Sequence, residues 1–198
     1  MEKGITHRNS PNHNRNYISI GDISLIHTRD NKQVTVDNGD LLDFDAPKIT
    51  LGDYIPFYFG IKMPMLYVIQ NGGNFVMEAT SAQKIIYMVC SLSQIIQECK
   101  EYYFSDGHAT DNLTTFYNRD KINNLPKIID WDAVKVAYWG GQDNLNLKRK
   151  KQAEFLISED ISSDKIIGFG CYNEATKNNL IKLGIKPNHI KVIPKAYY

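Results

Sequence analysis

Residues 148–158 read Lys-Arg-Lys-Lys-Gln-Ala-Glu-Phe-Leu-Ile-Ser, a run of four cations leading directly into a strand pattern over 152–157. Strand alternation puts Gln152, Glu154 and Leu156 on one face and Ala153, Phe155 and Ile157 on the other. Glu154 therefore sits inside an apolar strand, where an unpaired carboxylate is costly. It lies at a cleft, is paired with a cation, or belongs to a strand with one wet face. The cations Lys148, Arg149, Lys150 and Lys151 read either as a solvated face or as groups that hold phosphates beside a cleft carboxylate.

Downstream of this segment the pattern gives a strand over 165–171, a helix over 173–183 and a last strand over 189–193. Upstream it gives a loop over 7–16, a short helix after Asp22 as candidate N-cap, and an exposed excursion over 30–47. An aromatic strand over 54–60 leads into a short helix, interrupted by Pro56, Gly60 and Pro64. Residues 84–89 read as a buried strand, 91–98 as a helix, 102–105 as a strand, and 131–137 as a helix. Strands and helices mixed in this way describe an α+β protein.

The 198 residues fit one domain and are enough to bury a core. Lys+Arg 23 against Asp+Glu 22 leaves a net charge of +1, which excludes a polybasic binder; any affinity for nucleic acid has to come from a local patch. Hydrophobic residues at 42% and a mean hydropathy of −0.38 exclude a disordered chain. No stretch approaches the length of a membrane span, and the polar N-terminus is no secretory signal. Cys90, Cys99 and Cys171 are odd in number and lack CxxC spacing, so they read as reduced thiols of a cytoplasmic protein.

His7, His13, His27 and His108 have no metal-ligand spacing, and no metal is expected. Ser105 and His108 lie close together without a nucleophile elbow, and no glycine-rich phosphate loop is present. Tyr54, Phe57, Tyr58, Phe59 and Tyr67 form an aromatic cluster that reads either as core or as a stacking surface for unpaired bases.

An ordered set of segments carries a resemblance: Ile18-Ser-Ile-Gly21, Leu25-Ile-His-Thr-Arg29 followed by Val34, Asp53-Tyr-Ile-Pro-Phe-Tyr-Phe59, Pro64-Met-Leu-Tyr67, Phe104-Ser-Asp-Gly-His-Ala109, Asp130-Trp131, and Lys151-Gln-Ala-Glu-Phe-Leu156. Together they resemble the DarT family, DNA ADP-ribosyltransferase toxins of bacterial toxin–antitoxin pairs. The resemblance implies an ADP-ribosyltransferase-like fold, a split β-sheet core with flanking helices, in a single domain over 1–198. It implies NAD as co-substrate, a base of single-stranded DNA as acceptor, thymidine first and guanine in one branch, and a macrodomain antitoxin as partner.

Residue by residue, Glu154 matches the family's catalytic glutamate and Arg29 its active-site arginine. Glu154 would hold the nicotinamide ribose and stabilise an oxocarbenium-like transition state. Arg29, hardly ever neutral, would stabilise the deprotonated base and the NAD phosphates. Residues 9–29 would fold over NAD, with Ile5 contacting it, and the polar stretch 102–152 would recognise substrate. Tyr58, Met65 and His108 would frame the unpaired base, and Lys62 with Lys148–Lys151 would hold DNA phosphates.

The family begins with a strand and a helix ending in Gly, and Met1-Glu-Lys-Gly4 reads as the end of that helix. The expectation is a chain short of the family's N-terminus by about 25 residues. The alternative function is a catalytically inactive, single-stranded DNA-binding remnant; ADP-ribosylation of a protein acceptor is a third reading.

Overall fold

The computed structural model describes residues 4–37, 46–73 and 75–198. Along the chain these form α1 (Ile23–Asn31), β1 (Gln33–Asp37), β2 (Lys48–Thr50), β3 (Ile55–Tyr58), α2 (Pro64–Asn71), β4 (Tyr87–Cys90), α3 (Leu92–Glu98) and β5 (Tyr102–Ser105). They continue as β6 (Phe116–Tyr117), α4 (Leu125–Ile128), α5 (Trp131–Lys135), α6 (Leu145–Lys151), β7 (Glu154–Ile157), β8 (Ile166–Cys171), α7 (Glu174–Lys182) and β9 (Ile190–Val192). Two sheets result: six strands in the order β2-β1-β6-β5-β7-β3, and three in the order β4-β8-β9. This is the split-sheet α+β architecture expected from the sequence.

The 152–157 segment supplies an interior strand of the larger sheet. β7 pairs antiparallel with β5 on one side and with β3 on the other, so its backbone is satisfied along both edges. Alternation then sends Ala153, Phe155 and Ile157 into a cluster with Ile55, Ile95 and Phe104. Leu156 joins Val36, Leu51, Tyr54, Ala109 and Phe116 on the opposite face. Both faces are covered, and all four residues of β7 are buried. Phe155 stacks on Tyr102 at 5.1 Å and meets Phe59 edge-on at 6.4 Å, burial worth about 2–3 kcal/mol for such a ring.

The helices begin where local chemistry dictates. Asp22 caps α1 by accepting from the Leu25 N–H at 2.9 Å, as expected of it. Pro64 opens α2 at the position where its missing N–H costs nothing, and Gly72 ends it at φ 74°. Asp130 caps α5 through the Ala133 N–H at 3.0 Å.

Several expectations are corrected. Residues 84–89 are no buried strand: 82–84 form a single 3-10 turn, and β4 is an edge strand whose Met88 and Val89 are 39% and 45% exposed. An apolar run does not reveal how many neighbours a strand has. Within the expected excursion over 30–47, β1 forms and buries Val36 completely, while 38–45 fall outside the described residues. The basic run does not lead directly into a strand at Gln152: Lys148–Lys151 form the last turn of α6, and the strand starts two residues later at Glu154. The helix end expected over 1–4 also falls largely outside the described residues; Gly4 has φ 69°, and a Cβ there would strike the Ile161 carbonyl.

Among the described residues no helix is long and apolar enough to cross a membrane, and no group of His, Cys, Asp and Glu could hold a metal ion. Cys90, Cys99 and Cys171 are free thiols.

Candidate active site

Arg29 lies in the last turn of α1 and Glu154 is the first residue of β7. Arg29 Nη1 donates to Glu154 Oε1 at 3.2 Å, and Nη2 lies 2.7 Å from Oε2. The backbone N–H of Ala109 donates to the same Oε1 at 3.1 Å. The Glu154 side chain is fully buried and that of Arg29 is 18% exposed. Of the alternatives open for an inward carboxylate, the structure takes pairing with a cation. Burial alone would lower the Arg29 pKa, but the charge and hydrogen bond of Glu154 outweigh it and hold the guanidinium above its ordinary value. Arg29 is thus a permanent cation and no proton acceptor. The Nη2 and Oε2 atoms are close but misaligned for a hydrogen bond, so both keep bonding capacity for a third polar group.

The loop after β5 delivers Ala109 to this pair. The Glu154 N–H donates to Ser105 Oγ at 3.2 Å, and Ser105 Oγ donates in turn to the Gly107 carbonyl at 2.7 Å. Arg149 Nη1 donates to Asp106 Oδ1 at 2.9 Å, and the His108 N–H donates to the Arg149 carbonyl at 2.9 Å. A Cβ on Gly107 would meet Arg149 Nη1 and come within 2.9 Å of Arg149 Cγ, so any other residue here makes the Arg149 side chain or the loop move. His108 Nδ1 is 2.9 Å from Thr110 Oγ1. Burial lowers the His108 pKa more than the Glu154 charge raises it, and the ring is held neutral.

Tyr58 stands directly across the β3–β7 ladder from Glu154. Tyr58 is 37% exposed overall, yet desolvation, with Glu154 nearby, pushes its hydroxyl above the usual phenol range and keeps it a donor. Alongside lies a cleft of about 570 Å³ between α1, α2, the loop after β5 and α6, lined by Leu25, Met65, His108, Leu113 and Lys148 among others. A second cavity of about 430 Å³ is lined by residues 8–17, including Arg8, His13 and Arg15, and Arg8 pairs with Asp30 at 3.3 Å beside Arg29.

The expected site residues therefore divide. Arg29, Glu154 and Tyr58 meet, and Met65, His108 and Lys148 share the neighbouring cleft. Lys151 is corrected as a surface phosphate contact: it is 1% exposed, and its Nζ donates to the carbonyls of Ile61, Val134 and Val136 at 3.3, 3.0 and 2.8 Å. Arg149, 8% exposed, borders the cleft with its guanidinium committed to Asp106, and Lys150 pairs with Asp130 at 2.9 Å. Only Lys148 of the four stays exposed. Arg149 and Lys151, two residues apart and so on opposite sides of the helix, are covered by different neighbours, Arg149 by the loop after β5 and Lys151 by the carbonyls of Ile61, Val134 and Val136. Ile5 exchanges both backbone hydrogen bonds with Ile161, at 2.7 and 2.8 Å, and packs on the core, which leaves it no amide for a nucleotide. The Ala109 amide was not anticipated as a carboxylate donor; its only sequence signal is its place at the end of the Phe104–Ala109 segment.

A family model described as ssDNA thymidine ADP-ribosyltransferase, DarT, matches residues 1–198. A DNA ADP-ribosyl transferase of Thermus aquaticus is 33% identical over 118 residues, 58% of this chain and 47% of the relative. The chain thus spans about half the length of that curated relative. The solved DarT of Thermus sp. 2.9 in complex with ADP-ribosylated ssDNA is similar with a TM-score of 0.80 at 24% identity, over 99% of this chain and 88% of that one. Its complex with NAD+ gives 0.74 at 23% over 99% and 88%. Thermosipho africanus DarTG in complex with ADP-ribose gives 0.69 at 20%, over 96% of this chain and 44% of that one. At these identities the likeness establishes a shared fold.

Proposed function

The chain belongs to the DarT family, and we propose that it transfers the ADP-ribosyl group of NAD to a base, thymidine first, in single-stranded DNA. The observation that carries this reading is the buried Arg29–Glu154 pair, joined through the Ala109 amide to a loop whose His108 lines a cleft. The two misaligned atoms of that pair fit a ribose hydroxyl, and the basic 430 Å³ cavity beside α1 fits an anionic pyrophosphate. NAD supplies a ribosyl carbon bonded to a cationic nicotinamide ring that departs neutral when that bond breaks.

The chain's residues do the rest. Glu154 accepts from a ribose hydroxyl and sets its negative charge where positive charge develops on the ribose ring. Arg29, a fixed cation, stabilises the charge left on the base as its N–H proton passes to solvent water and the new carbon–nitrogen bond forms. Tyr58 as donor, Met65 and neutral His108 hold the unpaired base. Lys62 and Lys148 attract the DNA backbone.

In the cell this activity acts as the toxin of a toxin–antitoxin pair, in the cytoplasm, with a macrodomain antitoxin that removes the mark; residues 1–198 act as one domain. Likeness to a DarTG structure supports that setting. The test is incubation with NAD labelled in its adenylate half and a mixed-sequence single-stranded oligonucleotide. Label on DNA with release of nicotinamide supports transfer; oligonucleotide binding without either supports the binding remnant; label only on added protein supports the third reading.

A further inference from the structure

Beside the cleft, Tyr67 of α2, Trp139 of the α5–α6 connection and Tyr198 meet edge to face. The Tyr67 ring is 5.6 Å from Trp139 and 5.1 Å from Tyr198, and Trp139 Nε1 donates to the Tyr198 hydroxyl at 2.7 Å. A core cluster would be closed off, yet Tyr67 is 44% and Tyr198 38% exposed. Two cations ride on the rings: Lys148 Nζ is 5.3 Å from the Trp139 centroid and Lys62 Nζ 5.4 Å from that of Tyr198.

The group is continuous with the cleft, since Lys148 lines both and α2 carries the cleft-lining Pro64 about one turn before Tyr67. It is also held in place. The buried Lys151 ammonium ties Ile61, Val134 and Val136, which flank Lys62 and Trp139. The Tyr198 hydroxyl donates to the Lys62 carbonyl at 2.5 Å. Rigid, half-open rings beside two ammonium groups match a ligand with flat π faces joined by anions, which is unpaired nucleic acid.

We propose that Trp139, Tyr67 and Tyr198 form a stacking platform for a nucleotide flanking the modified base on the same DNA strand, with Lys62 and Lys148 on its phosphates. The proposal rests on reading the cleft as a DNA site. It makes the platform a determinant of how much strand the protein needs, while the chemistry stays at Arg29 and Glu154.

The test uses the full chain, labelled NAD, and single-stranded oligonucleotides of about 12 and about 3 nucleotides containing one thymidine. Stacking of one base gives Trp139→Leu a KM for the longer strand raised roughly tenfold, with kcat unchanged. Transfer to the shorter strand is unaffected, and Trp139→Phe restores the wild-type KM. Without NAD, the longer strand quenches tryptophan fluorescence in the wild type and not in Trp139→Leu. If the wild type transfers label and Trp139→Leu keeps both KM and quenching, the platform is wrong and the DNA reading stands. Quenching that depends on Trp139 without any transfer leaves the platform and removes the catalytic reading. Absence of both removes both.

Discussion

Arg29 and Glu154, 125 residues apart in sequence, form a two-point ion pair in which the carboxylate is fully buried. The α1 helix ends over the first residue of β7, so the fold itself brings together the two groups its sequence had singled out. A buried pair is poor evidence for stability, because desolvating both charges offsets their attraction. Its place behind the loop whose His108 lines the cleft points to chemistry.

Stability and activity therefore separate at this pair. Glu154→Ala leaves a buried guanidinium without its partner and is expected to destabilise by about 3 kcal/mol. The double variant Arg29→Met, Glu154→Leu is expected to recover most of that loss while transferring no ADP-ribose. Urea denaturation beside a transfer assay measures both, and a double variant no more stable than Glu154→Ala contradicts the account.

The basic run holds two kinds of lysine. Lys148→Ala is expected to weaken single-stranded DNA binding and reduce its salt slope by about 0.7, with little change in melting. Lys151→Met strands three carbonyls and is expected to cost about 2 kcal/mol or more of stability. Its salt slope stays at the wild-type value. Binding titrations at several salt concentrations distinguish the two, and equal slopes for both variants would refute the division.

Gly107→Ala places a methyl group against Arg149. Either the loop or the guanidinium has to shift, and with it the Ala109 amide that bonds Glu154. A fall in kcat of at least roughly tenfold is expected, the scale of one lost positioned hydrogen bond near the reacting centre. An unchanged kcat would show that this loop does not position the carboxylate.

Acid sensitivity follows from Asp160. Burial would raise its pKa, but hydrogen bonds from Asn12 at 3.0 Å and Ser10 at 2.7 Å outweigh that, so the folded value lies below the ordinary 3.8. With a depressed folded pKa, the stabilisation is complete above the unfolded value and is lost as pH falls through the folded one. Thermal melting of the wild type should therefore drop below about pH 4, and Asp160→Asn should be less stable at pH 7 and show a shallower acid loss. Parallel curves for the two proteins would exclude Asp160 as the cause.

Much of this was legible in the sequence. Glu154 stood out because a carboxylate in an apolar strand demands compensation, and Asp22 announced α1 through capping chemistry. What was hidden depended on three-dimensional neighbours. The four adjacent cations look alike in sequence, yet the loop after β5 covers Arg149, the carbonyls of Val134 and Val136 cover Lys151, and Lys148 is left in solvent. β6 spans only Phe116–Tyr117, too short for any periodicity, and is stabilised by pairing with β1 and β5. Ile5 is spent on pairing with Ile161, a long-range bridge that no local pattern encodes.

The most direct measurement compares wild type and Glu154→Gln with NAD labelled in its adenylate half and a thymidine-containing single-stranded oligonucleotide, after matched melting curves show both folded. The account predicts label on the DNA from the wild type and none from Glu154→Gln, with oligonucleotide binding retained in both. Equal labelling by the two proteins would contradict it.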